Sequence, residues 1–283
     1  MFEAVNIAAT GIRHQQRRLD TIANNIANVN SAAFKSARLD FKDAIYTNEM
    51  HTSYPRTPEP DGNQRKGHGV MIAAITKDFR TGSVQSTGRD LDAMIEGEGF
   101  FELEDPNGNT LFTRNGSFEI SVGDNLPYRA LVTGDGWYLH DEAGNRIVIP
   151  DDMTDIDIET DGTIIFKSSI PFPEDGTGAE DWNEVAGDGE IVREKRVKLG
   201  IYTFRNITGL ESAGNSNYIE SVASGEKRPA ENIKVWQGDL EMSNVSMSEE
   251  MTRIIRTQRV FQLASRALST ADEMEGIANN LRR

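Results

Sequence analysis

Side chains capable of chemistry are plentiful in this sequence, but few of them stand at the spacing that chemistry needs. The four histidines, His14, His51, His68 and His140, are scattered, and no pair has the helical spacing that would aim two imidazoles at one metal ion. Gly97-Glu98-Gly99 hints at a dinucleotide fingerprint but lacks its third glycine and its helix, so two turn glycines ahead of a strand account for it. Asp155, Asp157, Glu159, Asp161 and Gly162 alternate as calcium ligands would. Counted from Asp157, however, the twelfth position is Ser168, where a calcium loop needs a bidentate glutamate. Ile156 and Ile158 instead alternate with the acids as in a half-buried strand. There is no Gly-x-Ser-x-Gly nucleophile elbow. With no cysteine, disulfides and cysteine metal sites are excluded. The expectation is a chain without catalytic residues, bound metal or cofactor.

Composition narrows the function classes. The chain has 283 residues and a formal net charge of −15, from 45 acidic and 30 basic side chains. Carboxylate pairs are therefore common by composition alone, and one pair says little about acid–base catalysis. A balance this acidic disfavours nucleic-acid binding, which needs a basic footprint, and docking on an anionic membrane surface. The longest apolar run, Val70 to Ile75, is far too short to span a bilayer. The N-terminal stretch is interrupted by Glu3 and Asn6 and followed by Arg13, Arg17 and Arg18, the reverse of a secretory leader. Work outside the cytoplasm would need export without a cleaved signal.

The strongest pattern is at the two ends. Val5, Ala8, Ile12, Gln15, Leu19, Ile22, Ile26 and Val29 recur at alternating steps of three and four, the seam of a coiled coil. At the other end, Met247, Met251, Ile254, Gln258, Phe261, Ser265 and Leu268 form one stripe. Val260, Ala264, Ala267, Ala271, Met274, Ala278 and Leu281 form a second beside it. Ile22-Ala23-Asn24-Asn25-Ile26 recurs as Ile277-Ala278-Asn279-Asn280-Leu281. The N-terminal seam does not by itself offset the entropy of ordering its backbone, so the helix needs a partner. The central domain of the same chain could serve. A strict heptad suits another helix better.

Between the ends the pattern changes. Residues 1–45 are expected to hold the N-terminal coiled-coil helix, a turn and a short second helix within 31–42. Residues 46–68, with Pro55, Pro58 and Pro60, read as a linker or loop. Residues 69–237 hold short apolar runs alternating with turn signals, such as Asp105-Pro106-Asn107-Gly108 and Asn115-Gly116, as in a β-sandwich or barrel-like domain. Residues 171–193 form an acidic insertion with little order of its own. Residues 238–283 return to the C-terminal coiled-coil helix. The fold class is α+β, a β-rich central domain flanked by terminal helices.

These residues resemble a known family. Asp20 to Asn30 (Asp-Thr-Ile-Ala-Asn-Asn-Ile-Ala-Asn-Val-Asn), followed by Phe34-Lys35, is similar to the N-terminal signature of bacterial flagellar axial proteins of the rod and hook. Leu240-Glu241-Met242-Ser243-Asn244-Val245, with Glu250-Met251, Arg259 and Asp272-Glu273-Met274, resembles the paired C-terminal signature. Ile95 to Phe101 and Thr113-Arg114-Asn115-Gly116-Ser117-Phe118 look like the core of the β domain. Gly209 to Gly214 with Asn217 to Glu220 is most similar to the distal-rod branch. Ser31-Ala32-Ala33 departs from the pattern, which has glycine before Phe-Lys, and Arg205-Asn206-Ile207-Thr208 lacks a proline common there. The resemblance implies a structural protein of the basal body, not an enzyme. Such a subunit leaves through the flagellar export apparatus and stacks into a helical homopolymer with other rod and hook proteins. The implied assembly residues are Val5, Ile12, Leu19, Ile22, Asn24, Asn25, Ile26, Asn28, Val29, Met247, Met251, Ile254, Phe261, Leu268, Met274, Ile277 and Leu281. Proximal-rod and hook-type proteins are alternatives in the same class. A glycan-acting hydrolase with paired carboxylates in the β domain, dimerised by its helices, is the alternative from another class.

Overall fold

The computed structural model describes residues 2–43, 46–48, 65–67, 70–122, 129–149, 155–168, 183–187 and 190–281. They divide into two compact units, each assembled from distant parts of the chain.

The first unit takes 1–29, 36–78 and 245–283. Helix α1 spans Phe2–Ala27 and helix α2 spans Met247–Leu281. Between them come β1 (Ala37–Asp43), β2 (Tyr46–Asn48), β3 (Arg65–Gly67) and β4 (Val70–Lys77). β1 pairs antiparallel with β4 from Ala37↔Lys77 to Asp43↔Val70, with a bulge at Asp40/Phe41, and β2 pairs with β3. The four strands thus form two antiparallel pairs, β2-β3 nested in sequence within β1-β4. The short helix expected within 31–42 is therefore a strand. Leu39 and Phe41 alternate with Arg38, Asp40 and Lys42, so the period is two and one face is apolar. Leu39 is buried and Arg38 exposed. Pairing with β1 also moves Val70–Lys77 out of the expected 69–237 domain and into the unit that holds the helices. The rest of the 46–68 loop, with its prolines, His51 and His68, lies outside the described residues.

The second unit takes 30–35 and 79–244. Its strands are β5 (Val84–Ser86), β6 (Ala93–Glu96), β7 (Phe100–Glu104), β8 (Thr110–Thr113), β9 (Phe118–Val122), β10 (Arg129–Thr133), β11 (Tyr138–Leu139) and β12 (Val148–Ile149). Then follow β13 (Asp155–Ile158), β14 (Thr163–Ser168), β15 (Asn183–Gly187), β16 (Glu190–Lys198), β17 (Ile201–Thr203), β18 (Glu211–Gly214), β19 (Asn217–Ile219), β20 (Arg228–Pro229), β21 (Lys234–Gln237) and β22 (Asp239–Glu241). All their pairings are antiparallel. The spine of the largest sheet runs β12-β10-β11-β7-β8-β19-β18, and a second sheet runs β13-β14-β16-β15. The α+β class stands, with helices at both ends and strands between. The acidic insertion is partly ordered: β15 pairs with β16 from Asn183↔Glu194 to Gly187↔Glu190. Its residues 171–182 lie outside the described residues.

Pleating explains how the two adjacent phenylalanines of β7 both become buried. Successive side chains of a strand point to opposite faces. Phe101 enters a core with Phe118, Leu131, Leu139 and, from the second sheet, Ile164 and Phe166. Phe100 enters a smaller one with Phe112, Tyr202, Phe204 and Tyr218. Edge-to-face pairs set the packing: Phe101 and Phe118 centroids lie 5.2 Å apart, those of Phe112 and Phe204 4.8 Å. Gly116 is required where it stands, because a Cβ there would sit 1.6 Å from the Ala93 carbonyl oxygen.

Candidate assembly interface

The α1 seam is built as its spacing predicts. Ile22 is buried, and Val5, Ala8, Ile12, Gln15, Leu19, Ile26 and Val29 are each half-buried, while Arg13, Arg17 and Asp20 face solvent. α1 packs against α2. The covered positions of α2 are Glu250, Ile254, Thr257, Phe261, Ala264, Leu268 and Ala271, again at steps of three and four. This seam runs between the two stripes expected from sequence. It takes Ile254, Phe261 and Leu268 from the first stripe and Ala264 and Ala271 from the second. Met251, expected on the seam, is turned outward at 54% exposure, and Met247 at the start of the helix is 36% exposed. Glu250 takes the place of Met251 and Thr257 that of Gln258, buried polar residues that each make a hydrogen bond within the helix. The Arg253 guanidinium donates to Glu250 Oε1 at 2.6 Å, and Thr257 Oγ1 donates to the Arg253 carbonyl at 2.8 Å. A polarity-based stripe cannot anticipate that.

The helices run antiparallel. A cavity of about 530 Å³ is lined by Arg18, Thr21 and Ile22 from late in α1 and by Glu250 and Arg253 from the start of α2. α1 has 26 residues and α2 has 35. At about 1.5 Å per residue, α2 outreaches α1 by roughly 13 Å. Past Ala271, α2 has no cover from its own chain among the described residues: Met274 and Ile277 are each 60% exposed. A second heptad follows another side of α2 and continues into this stretch: Val260, Leu263, Ala267, Thr270, Met274, Ile277 and Leu281, the last being the final residue of α2. Val260 is 46% and Leu263 64% exposed. Leu263 was missing from the expected stripe, although the three-four spacing through it was present in the sequence. The two Ile-Ala-Asn-Asn segments are not brought together, since Ile22 and Ile277 lie toward opposite ends of the antiparallel pair.

Asn25 is not offered to a neighbour. It is 1% exposed, and its amide makes both bonds of a backbone pair with Ala37: Nδ2 donates to the carbonyl at 2.9 Å, and Oδ1 accepts the N–H at 2.9 Å. The amide thus carries the hydrogen bonding of α1 into β1. Asn28 Nδ2 donates to the Asn24 carbonyl at 2.9 Å, while the Asn24 side chain remains exposed.

In the second unit, the turn 31–33 solves the missing-glycine problem with alanine. Ala33 has φ 54, is wholly buried, and donates its N–H to the Glu241 carbonyl at 2.7 Å. The left-handed region costs a residue with a Cβ about 1–2 kcal/mol. Two residues on, Lys35 is buried completely. Its Nζ donates to Glu241 Oε1 at 2.6 Å and to the Arg80 carbonyl at 2.8 Å. Gly82 N–H also donates to that Oε1, at 2.9 Å, and Arg114 Nε lies 3.6 Å from Oε2. Arg114 in turn donates to the carbonyls of Gly97 and Gly99. The Phe-Lys, Arg-Asn-Gly and Leu-Glu-Met signatures, far apart in sequence, therefore meet in one buried ionic cluster. Spacing could not reveal it, because Lys35 and Glu241 are 206 positions apart.

The clearest titratable cluster elsewhere is structural. Arg146 donates to both oxygens of Glu104 at 2.8 and 2.9 Å, and His140 Nε2 lies 2.9 Å from Oε2. Hydrogen bonds from Arg146 and then His140 lower the Glu104 carboxyl to about 2, the direction opposite to that of a general acid. Among the described residues no group of carboxylates and histidines is placed to hold a metal.

Comparison with known proteins is consistent along the chain. Residues 6–35 match the family described as "Flagella basal body rod protein", 94–166 the "Flagellar hook protein FlgE/F/G D1 domain", and 237–281 the "Flagellar basal body rod FlgEFG protein C-terminal". The flagellar basal-body rod protein FlgG of Borreliella burgdorferi is 36% identical, covering all of both chains. FlgG of Bacillus subtilis is 33% identical, also over all of both. The flagellar hook-basal body complex protein FlhP of Bacillus subtilis is 30% identical at the same full coverage. The hydrolase alternative falls with this finding, because the family is structural and not enzymatic. The chain belongs to the flagellar basal-body rod protein family.

Proposed function

We propose that this chain is a structural subunit of the flagellar basal-body rod, of the distal type, polymerising helically through helices that its own fold leaves partly uncovered. The observation that carries the proposal is the second heptad of α2. A run of apolar residues at three-four spacing is exposed along a helix that outreaches its intramolecular partner. Heptads call for helices, and in a rod the available helices are those of neighbouring copies. The interface then comprises Met247, Met251, Val260, Leu263, Met274, Ile277 and Leu281. The α1 seam (Val5, Ile12, Leu19, Ile22, Ile26 and Val29), with Ile254, Phe261 and Leu268, supports it from within the subunit. Asn24 and Asn28 stand beside that seam, and Asn25 fixes the helix to β1. Other rod and hook proteins meet the same helices at the ends of the polymer. Passage through the flagellar export apparatus accounts for delivery. No helix among the described residues is long and apolar enough to cross a membrane.

The test is Ile277→Asp. The expected outcome is a chain whose β-rich unit unfolds at the wild-type denaturant concentration but which forms no polymer and supports no motility. Wild-type rod assembly in this variant would refute the role given to the second heptad.

A further inference from the structure

We infer that copies of this chain also join through their β-rich units, head to tail, by seating the Val222 turn of one copy in the cleft beside Ala230 and Ile233 of the next. The inference rests on the polymer reading above and adds a contact outside the helices.

Val222 is the most exposed large apolar side chain among those described, at 104% of its reference value. An isolated exposed valine would mean little. This one sits on a turn held on every side. Ser221 Oγ donates to the Gly209 carbonyl at 2.5 Å, Asn206 Nδ2 donates to the Ala223 carbonyl at 3.1 Å, and Ser224 Oγ donates to the Ser221 carbonyl at 2.8 Å. Gly209 passes so close beneath that a Cβ on it would lie 2.5 Å from the Ala223 carbonyl carbon. A protruding side chain on a pinned turn loses little entropy on docking.

The same unit holds a matching recess. A cleft of about 250 Å³ is lined by Leu199, Ile201, Ala230 and Ile233, with Asp161 and the ion pair Lys198–Glu142 among its polar lining. Asp161 accepts hydrogen bonds only from Thr163 and has no cationic partner among the described residues. Beside the turn, Arg205 is exposed and likewise lacks an ion pair among the described residues. An apolar knob flanked by an unpaired cation thus faces the counterpart of an apolar recess flanked by an unpaired anion.

Placement argues for a second copy of this chain as the occupant. The recess begins at Leu199 and Ile201, at the start of β17, and the turn is fastened to Asn206 and Gly209, just beyond its end. Knob and recess therefore stand at opposite ends of one strand segment. Different surfaces at opposite ends make a heterologous contact, which propagates as an open helix where a two-fold contact would close as a dimer.

Because the chain has no cysteine, the contact can be trapped cleanly. Val222→Cys and Ala230→Cys would be introduced singly and together in the full chain, and assembled polymer oxidised and run under denaturing, non-reducing conditions. The expected result is a ladder of cross-linked multimers from the double variant and monomer from each single one. Val222→Asp should raise the concentration needed for polymerisation about tenfold or more, with the monomer's unfolding transition unchanged. Arg205→Asp should weaken assembly, and adding Asp161→Arg should restore it. If polymer forms but the double variant stays monomeric, or if Val222→Cys alone gives dimers, the head-to-tail contact is overturned while the helical interface stands. If the wild-type chain forms no polymer at all, both proposals fail.

Discussion

The two units bury their apolar residues to very different degrees. In the β-rich unit, Phe100, Phe101, Phe112, Phe118 and Phe166 are all at most 2% exposed. In the helical unit only Ile22 and Leu39, among the large apolar residues described, are buried to a comparable degree, while Leu263, Met274, Ile277 and Ile75 are each at least 60% exposed. One unit completes its core within the chain. The other has the sequence of a core and only part of the partners. A low-stability element in a subunit is what assembly requires, because the surface that binds a neighbour must be uncovered beforehand.

This contrast can be broken by mutation, beginning where the effect is greatest. Phe166→Ala empties a fully enclosed site and should cost about 3–5 kcal/mol in chemical denaturation of the β-rich unit. Leu263→Ala removes a side chain of similar character from the helical unit and should leave that transition within about 0.5 kcal/mol of wild type. Equal effects of the two would erase the distinction. Lys35→Met leaves Glu241 buried without its principal counter-ion and should cost about 3 kcal/mol. Combined with Glu241→Leu it should cost less than the sum of the two single changes, a coupling that a double-mutant cycle reads directly.

Backbone strain gives a smaller effect. Ala33→Val places a β-branched residue at positive φ in a closed site and should cost about 2 kcal/mol. Ala33→Gly relieves the left-handed strain but loses a buried methyl, terms of about 1 kcal/mol each, and should be nearly neutral in thermal melts. The smallest effect is titration of Glu104. Its folded carboxyl is held near 2, below the ordinary 4.5, so its contribution is present above pH 4.5 and lost as pH falls toward 2. Partly exposed, it should account for about 1 kcal/mol of acid sensitivity. Arg146→Ala should flatten that part of the stability–pH curve.

How much of this was legible beforehand depended on the range of the interactions. The α1 seam was readable because a heptad is a local pattern, and the strands of the β-rich unit because turn residues mark them off one by one. The strand at Ala37–Asp43 reads as a helix in sequence, since its pairing partner β4 is remote along the chain. The seam of α2 was misplaced because Glu250 and Thr257 are polar in type but buried, each with a hydrogen bond inside the helix, which only geometry reveals. The Lys35–Glu241–Arg114 cluster joins three segments that no window spans, although each belonged to a recognisable signature. The turn through Ala33 was seen to lack its glycine, and the structure shows alanine taking the same backbone conformation.

The central claim is that the helical unit is finished only by neighbours, and hydrogen exchange along α2 in monomer and in polymer tests it most directly. The account predicts that amides of residues 260–281 exchange much faster in the monomer than those of β7 and β8, and become protected in the polymer. If α2 were already as protected in the monomer as those strands, the claim would be contradicted.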